Sequence, residues 1–232
     1  MTAATRVRRA ELPPGALEQS LKSFEARLHW HDHFIQKFED EPAIEFQNIN
    51  RAFDGLREDE LDEARFAAWA EGRTGFPMVD ARMRSLHATG WLNFRMRAML
   101  VSFAAYHLWL HWRRPALHLG RLFADYEPGI HYSQTQMQSG VTGSNTLRIY
   151  SPREQAEDQD PDGTFIRHWV PELLQSAYGV RIGSDYSAPI VDTKLALAHA
   201  RARLKYFRGK SETRLASAAV YRKHGSRKRL SS

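Results

Sequence analysis

The chain has 232 residues, is 42% hydrophobic and carries a formal net charge of +6 without a single cysteine. That length and apolar content suffice for a real core in one large or two small domains, while the cysteine count excludes disulfides, thiolate metal sites and iron–sulfur clusters. The N-terminus has arginines but no apolar signal-peptide core, and the most apolar run, Ala98 to Leu110, is too short to span a bilayer. A soluble, cytoplasmic protein with no membrane partner is expected.

Residues 1–15 end in PPG and are expected to be disordered, ahead of one domain over 16–206 and a basic tail over 207–232. Leu17, Leu21, Phe24, Leu28, Ile35 and Phe38 recur at helical spacing. A polar, turn-rich connector follows, then a short helix from Leu61 to Trp69 that stops at EGRTGFP. Pro77 suits the first turn of a helix through His87, closed by Gly90. Trp91 to Trp112 reads as a central helix, apolar nearly all round from Ala98 and therefore buried. ALHLGRLF, after Pro115, is another helical piece. DYEPGIHYSQTQMQSG, residues 125–140, shows no hydrophobic run, no helical period and no strand alternation, and reads as a polar loop of the kind that carries binding chemistry. TLRIYS is at most one short strand, TFIRHWVPELLQSAY is helical with a break at Pro171, and Lys194 to Tyr206 is a last, basic helix. The expected fold class is all-α.

Charge is distributed unevenly. From Lys194 onward twelve Lys and Arg face one acid, a net +11, and the preceding residues hold 21 basic and 26 acidic side chains, a net −5. Such a basic end points to nucleic acid or another polyanion, or else to a solvated helix with a frayed terminus.

Three motifs bear on metals and nucleotides. DQDPDG, Asp158 to Gly163, opens like a calcium loop, but Trp169 stands where the bidentate Glu belongs and Pro161 occupies position 4. An acidic turn before a helix is the better reading. HWHDHF puts His29 and His33 on one helix face, yet Trp30 stands where a zinc protease needs its Glu. No metal site is assigned. GxGxxG, P-loop and GxSxG patterns are absent. Arg95 and Arg97 open the central helix, either snorkelling or paired with Asp125 and Glu127 of the polar loop. In the second case the loop would wall a large, flat ligand with a polar edge.

EGRTGFPMVDARMRSLHATGWLNFRMRAM, WLHWRR, FADYEPGIHYSQTQMQSG and RIYSP…DPDGTFIRHWVPEL follow in this order, with RLHWHDHF upstream and APIVDTK downstream. Together they resemble the helical flavin-binding domain of the photolyase/cryptochrome family, in its bacterial branch, over residues 20 to 205.

The resemblance implies a helical fold that holds FAD, whose excited reduced form donates an electron to a pyrimidine dimer flipped out of DNA. By position it implies an Arg97–Asp125 ion pair beside the flavin ring, Glu127 near the ring's polar edge, and Phe94 where repair enzymes commonly have Asn. It sets His131 opposite flavin N5, as a side chain able to donate there. Trp30 and Met137 match two aromatics that embrace the dimer, the second of them lost here; Arg95 and Arg148 match arginines that hold DNA phosphates. Of three relay tryptophans only the middle one is kept, as Trp112, with Thr135 and Asp59 at the inner and outer places. The catalytic roles thus fall to Trp112 and His131. The antenna domain and the Ser/Thr-rich clasp on the FAD phosphates have no counterpart, so the chain is expected to be a fragment, to receive that half from a separate chain, or to have lost flavin binding, and alone to hold FAD weakly if at all. Three functions stay open. A lyase acting on pyrimidine dimers in DNA leads. A cryptochrome-like blue-light receptor is favoured by Met137 and the broken relay, and a non-catalytic polyanion-binding module by the missing clasp.

Overall fold

The computed structural model describes residues 15–143, 145–174 and 186–224; expectations for 1–14, 175–178 and 225–232 lie outside them. Helix α1 spans Ala16–Asp40, α2 Glu63–Ala70, α3 Pro77–Thr89 and α4 Phe94–Ser102. Then come α5 Arg113–Leu122, α6 Pro128–Gln138, α7 Pro152–Gln159, α8 Thr164–Trp169, α9 Thr193–Gly209 and α10 Ser211–His224. No strand occurs among the described residues, and TLRIYS is irregular.

Local chemistry sets most boundaries. Asp62 caps α2 by accepting from the Arg65 N–H, and Pro77 opens α3, which Gly90 closes at φ 69°. The TGFPMVD segment is built around one carboxylate. Buried Asp80 accepts from the Thr74 N–H at 2.8 Å, the Thr74 hydroxyl at 2.6 Å, the Gly75 N–H at 3.0 Å and the Tyr186 hydroxyl. Asp160 of DQDPDG likewise accepts from the Phe165 and Ile166 N–H groups at 2.9 and 2.8 Å, making that acidic turn the cap of α8.

Two expectations are corrected. The central segment is not one helix from Trp91 to Trp112. Asn93 accepts from the Met96 N–H and starts α4 at Phe94; after Ser102 the winding loosens to a π turn, Phe103–His107, and the chain leaves the helix at Trp109, φ 58°. Leu108 and Leu110 enter one core while Trp109 and Trp112 enter the other. Apolarity on every side records burial between two cores, which an irregular connector satisfies as well as a helix does. The second correction concerns residues 125–140, most of which form α6, Pro128–Gln138, rather than a loop. Glu127 caps it by accepting from the Gly129 and Ile130 N–H groups at 3.1 and 2.7 Å, with Pro128 in the first turn.

The two cores meet along α4 and its π turn. The first gathers Trp69, Met78, Met83, Leu86, Met96 and Leu100; the second gathers Ile44, Phe53, Leu56, Tyr106, Trp112 and Leu204. The end of α1 runs parallel to α6, with Phe38 stacked on Tyr132 and the Phe34 carbonyl against Gly129, where a Cβ would lie 2.5 Å away. The basic helix α9 is seated by Ala200, Leu204 and Phe207 but is not the last: within the expected basic tail α10 folds back so that Ser217 accepts from Asn50 at 3.0 Å.

Candidate functional site

A cavity of about 390 Å³ opens between the first two turns of α4, the segment Leu119–Glu127 and one face of α6. Its volume lies within the range of small-molecule sites. Leu92, Phe94, Val101, Leu119, Phe123 and Ile130 make apolar walls, and a polar edge comes from Arg97, Asp125, Glu127, His131, Gln134 and Gln138. This is the division a flat ring with a heteroatom edge requires.

Arg97 organises the polar edge. Its Nη2 donates to both Asp125 oxygens at 2.9 and 2.8 Å, its Nε to the Leu92 carbonyl at 2.7 Å, and its guanidinium lies over Phe123 at 4.1 Å. His131 donates from Nε2 to the Ala116 carbonyl at 2.8 Å. That bond fixes the tautomer, so Nδ1 of the neutral ring is an acceptor. Burial pushes the His131 pKa below the usual histidine range, and the Arg97 charge works in the same direction against the Ala116 bond and Glu127. The expectation of a donating His131 therefore needs correction: the fold favours the neutral ring, with its one N–H already committed. Glu127 lines the cavity with its carboxylate engaged in capping α6.

Five of the sequence-derived site residues, Phe94, Arg97, Asp125, Glu127 and His131, converge on this cavity. The others lie elsewhere. Trp112 is buried in the second core, donating from Nε1 to Asn48 at 2.7 Å. Its ring meets Tyr132 with centroids 6.4 Å apart, and Tyr132 meets cavity-lining Tyr126, again at 6.4 Å. Arg95 and Arg148 are exposed. Trp30 is exposed on α1, one turn before the Gly129 contact, and Met137 lies two turns beyond it on α6. The two are roughly 18 Å apart along the seam at 1.5 Å per residue, and neither lines the cavity. Sequence reasoning missed Tyr126, Gln134 and Gln138. Their signal was the polar spacing Glu127, His131, Gln134, Gln138, which is helical although no apolar residue marks it.

Donors for a diphosphate are scarce among the lining residues. Arg97 is engaged with Asp125, and the N-termini of α4 and α6 are closed by Asn93 and by the Glu127 carboxylate. The residues present fit a flavin-like ring and leave its phosphates without a cradle.

Residues 24–206 match the family described as the FAD binding domain of DNA photolyase. The chain is 36% identical over 149 residues to a cryptochrome DASH of Gloeobacter violaceus, covering 56% of this chain and 30% of that protein. It is 34% identical over 201 residues to a deoxyribodipyrimidine photo-lyase of Streptomyces griseus, covering 81% of this chain and 42% of the relative. A bacterial class III photolyase from Agrobacterium tumefaciens superposes with a TM-score of 0.76 at 27% identity, covering 89% of this chain and 46% of that one. The chain thus spans less than half the length of each of these three proteins.

Proposed function

The chain belongs to the photolyase/cryptochrome family through its FAD-binding domain, and from that premise we propose that the cavity seats the flavin ring of FAD for light-driven electron transfer to pyrimidine dimers in DNA. The observation that carries this reading is the Arg97–Asp125 pair at the edge of an otherwise apolar cavity. A bound flavin supplies one-electron chemistry under blue light. The chain's own residues orient it. Arg97 and Asp125 present a donor and an acceptor to its polar edge, Phe94 and Phe123 cover apolar surface, and neutral His131 offers Nδ1 as an acceptor. Arg95 and Arg148 would hold phosphates, and Trp30 would stack on an extruded base. Trp112, reached through Tyr126 and Tyr132, is the redox-active side chain in this reading.

A second reading, a blue-light receptor without lyase activity, is favoured by the placement of Trp30 and Met137, which do not face each other across the cavity. One experiment separates the two. The chain, saturated with FAD and illuminated with a duplex containing thymine dimers, is assayed for dimer loss by chromatography and for change in flavin absorption. Dimer loss that Arg97→Ala abolishes supports repair; a light-induced spectral change without dimer loss supports the receptor; neither outcome with bound FAD overturns both.

A further inference from the structure

The exposed side of α9 carries Lys194, Arg201 and Lys205 at spacings of seven and four residues, which aligns them along one flank of the helix. Tyr206, 66% exposed, lies beside them, and α10 adds exposed Arg214, Arg222 and Tyr221. Across residues 194–224 there are nine Lys and Arg and one acid, Glu212. Among the described residues Arg203 is paired with Glu60, Lys223 with Glu41, and Lys210 lies 3.9 Å from Glu212. Lys194, Arg201 and Lys205 take part in none of these pairs, and the acid nearest them in sequence is exposed Asp192, whose side chain caps α9.

This surface is separate from the cavity lining. The buried side of α9 packs on the π turn and the second core, with Phe207 stacked on Phe53, whereas the cavity runs along α4 ahead of that turn, from Phe94 to Val101. Neither α9 nor α10 contributes to the cavity lining.

We propose that this face of α9 and α10 is a second nucleic-acid contact, one that follows the phosphate backbone of duplex DNA regardless of sequence or damage. Lys194 to Lys205 spans about 16 Å, which matches roughly five phosphates of one strand at about 3.4 Å each. The array is preformed because Ala200, Leu204 and Phe207 lock the helix to the core. An anionic membrane fits less well, since that anchoring uses the apolar side of α9 that an interfacial helix would have to insert. The inference rests on charge and position and does not depend on what the cavity holds.

The test uses the full chain in the dark, without FAD, and an undamaged fluorescent duplex titrated at several salt concentrations. Lys194→Gln, Arg201→Gln and Lys205→Gln combined should lower the slope of log affinity against log salt by about 2.7, three contacts at ~0.9 each. A dimer-containing duplex should lose affinity by the same factor. The three side chains are exposed, so thermal melting should coincide with that of the parent; if it does not, the Lys205→Gln single variant replaces the triple, with an expected slope change of about 0.9. A control that neutralises Arg65, Arg114 and Arg153, which lie on helices other than α9 and α10, should leave the slope unchanged. An unchanged slope in the α9 variant overturns the proposal, as does an equal drop in the control. Tighter binding to phosphatidylserine vesicles than to the duplex would overturn the assignment to nucleic acid. Loss of dimer cleavage alone would bear on the cavity and leave this result standing.

Discussion

Arg97 ties Asp125 to the Leu92 carbonyl, so one side chain joins the turn before α4 to the segment before α6. Both partners are partly exposed, and such an ion pair stabilises the fold by only about 0–1 kcal/mol. Its value lies in fixing the cavity edge. Asp125→Asn should therefore shift stability in urea by less than about 1 kcal/mol, yet weaken FAD binding, followed by flavin fluorescence, about tenfold, the equivalent of one charge-assisted hydrogen bond. Arg97→Ala should cost about 1–2 kcal/mol of stability because the carbonyl bond and the Phe123 stacking go with it. The reverse order of stabilities would place the structural weight on Asp125.

Acid should loosen this fold through its histidines. His107 is buried against Phe103 with no partner for either ring nitrogen among the described residues, and burial pushes its pKa down to about 4. A folded-state value below the unfolded one means that the unfolded chain takes up the proton first. Stability is then undiminished above pH 6.5, falls as pH drops from there toward 4, and loses roughly 3 kcal/mol from this group in full. Burial lowers the pKa of His131 and His118 as well, which adds to the slope. Urea midpoints measured from pH 7.5 to 4 should show the decline, and His107→Leu should flatten it most among single replacements.

Asp80 gathers four donors in a site closed to water. Asp80→Ala would leave the Thr74 and Gly75 N–H groups buried without acceptors. The expected cost is about 3–5 kcal/mol, enough to unfold much of the chain at 37 °C. Asp80→Asn, which keeps acceptor capacity at one oxygen, should cost visibly less in the same denaturation series.

At Gly129 the backbones of α1 and α6 come close together. A Cβ there would stand 2.5 Å from the Phe34 carbonyl oxygen, which is backbone and cannot swing aside. Gly129→Ala should destabilise by about 1–3 kcal/mol and weaken FAD binding, because α6 carries Glu127, His131 and Gln134 into the cavity. Retained stability with unaltered binding would show that the seam yields without moving α6.

The amino-acid sequence by itself determined the helical class, most helix positions and the charge on the last helices, because capping, proline and glycine act through a few neighbouring bonds. Pro77 and Gly90 bracket α3 without reference to anything distant. The Asp80 knot was legible only as a family word, TGFPMVD, and its chemistry needed Tyr186, a hundred residues away. Residues 125–140 looked like a loop because their helical repeat is written in polar side chains that face a cavity, while apolar periodicity reports only faces turned to a core. The end of the central helix at the π turn was invisible for the opposite reason: with apolar neighbours on all sides, burial leaves no period to read. What tertiary structure alone decided was the company each residue keeps. It brought Arg97 to Asp125, committed the His131 N–H to Ala116, sent Trp112 into the second core and separated Trp30 from Met137, since those relations depend on how helices pack and not on how any one of them is spelled.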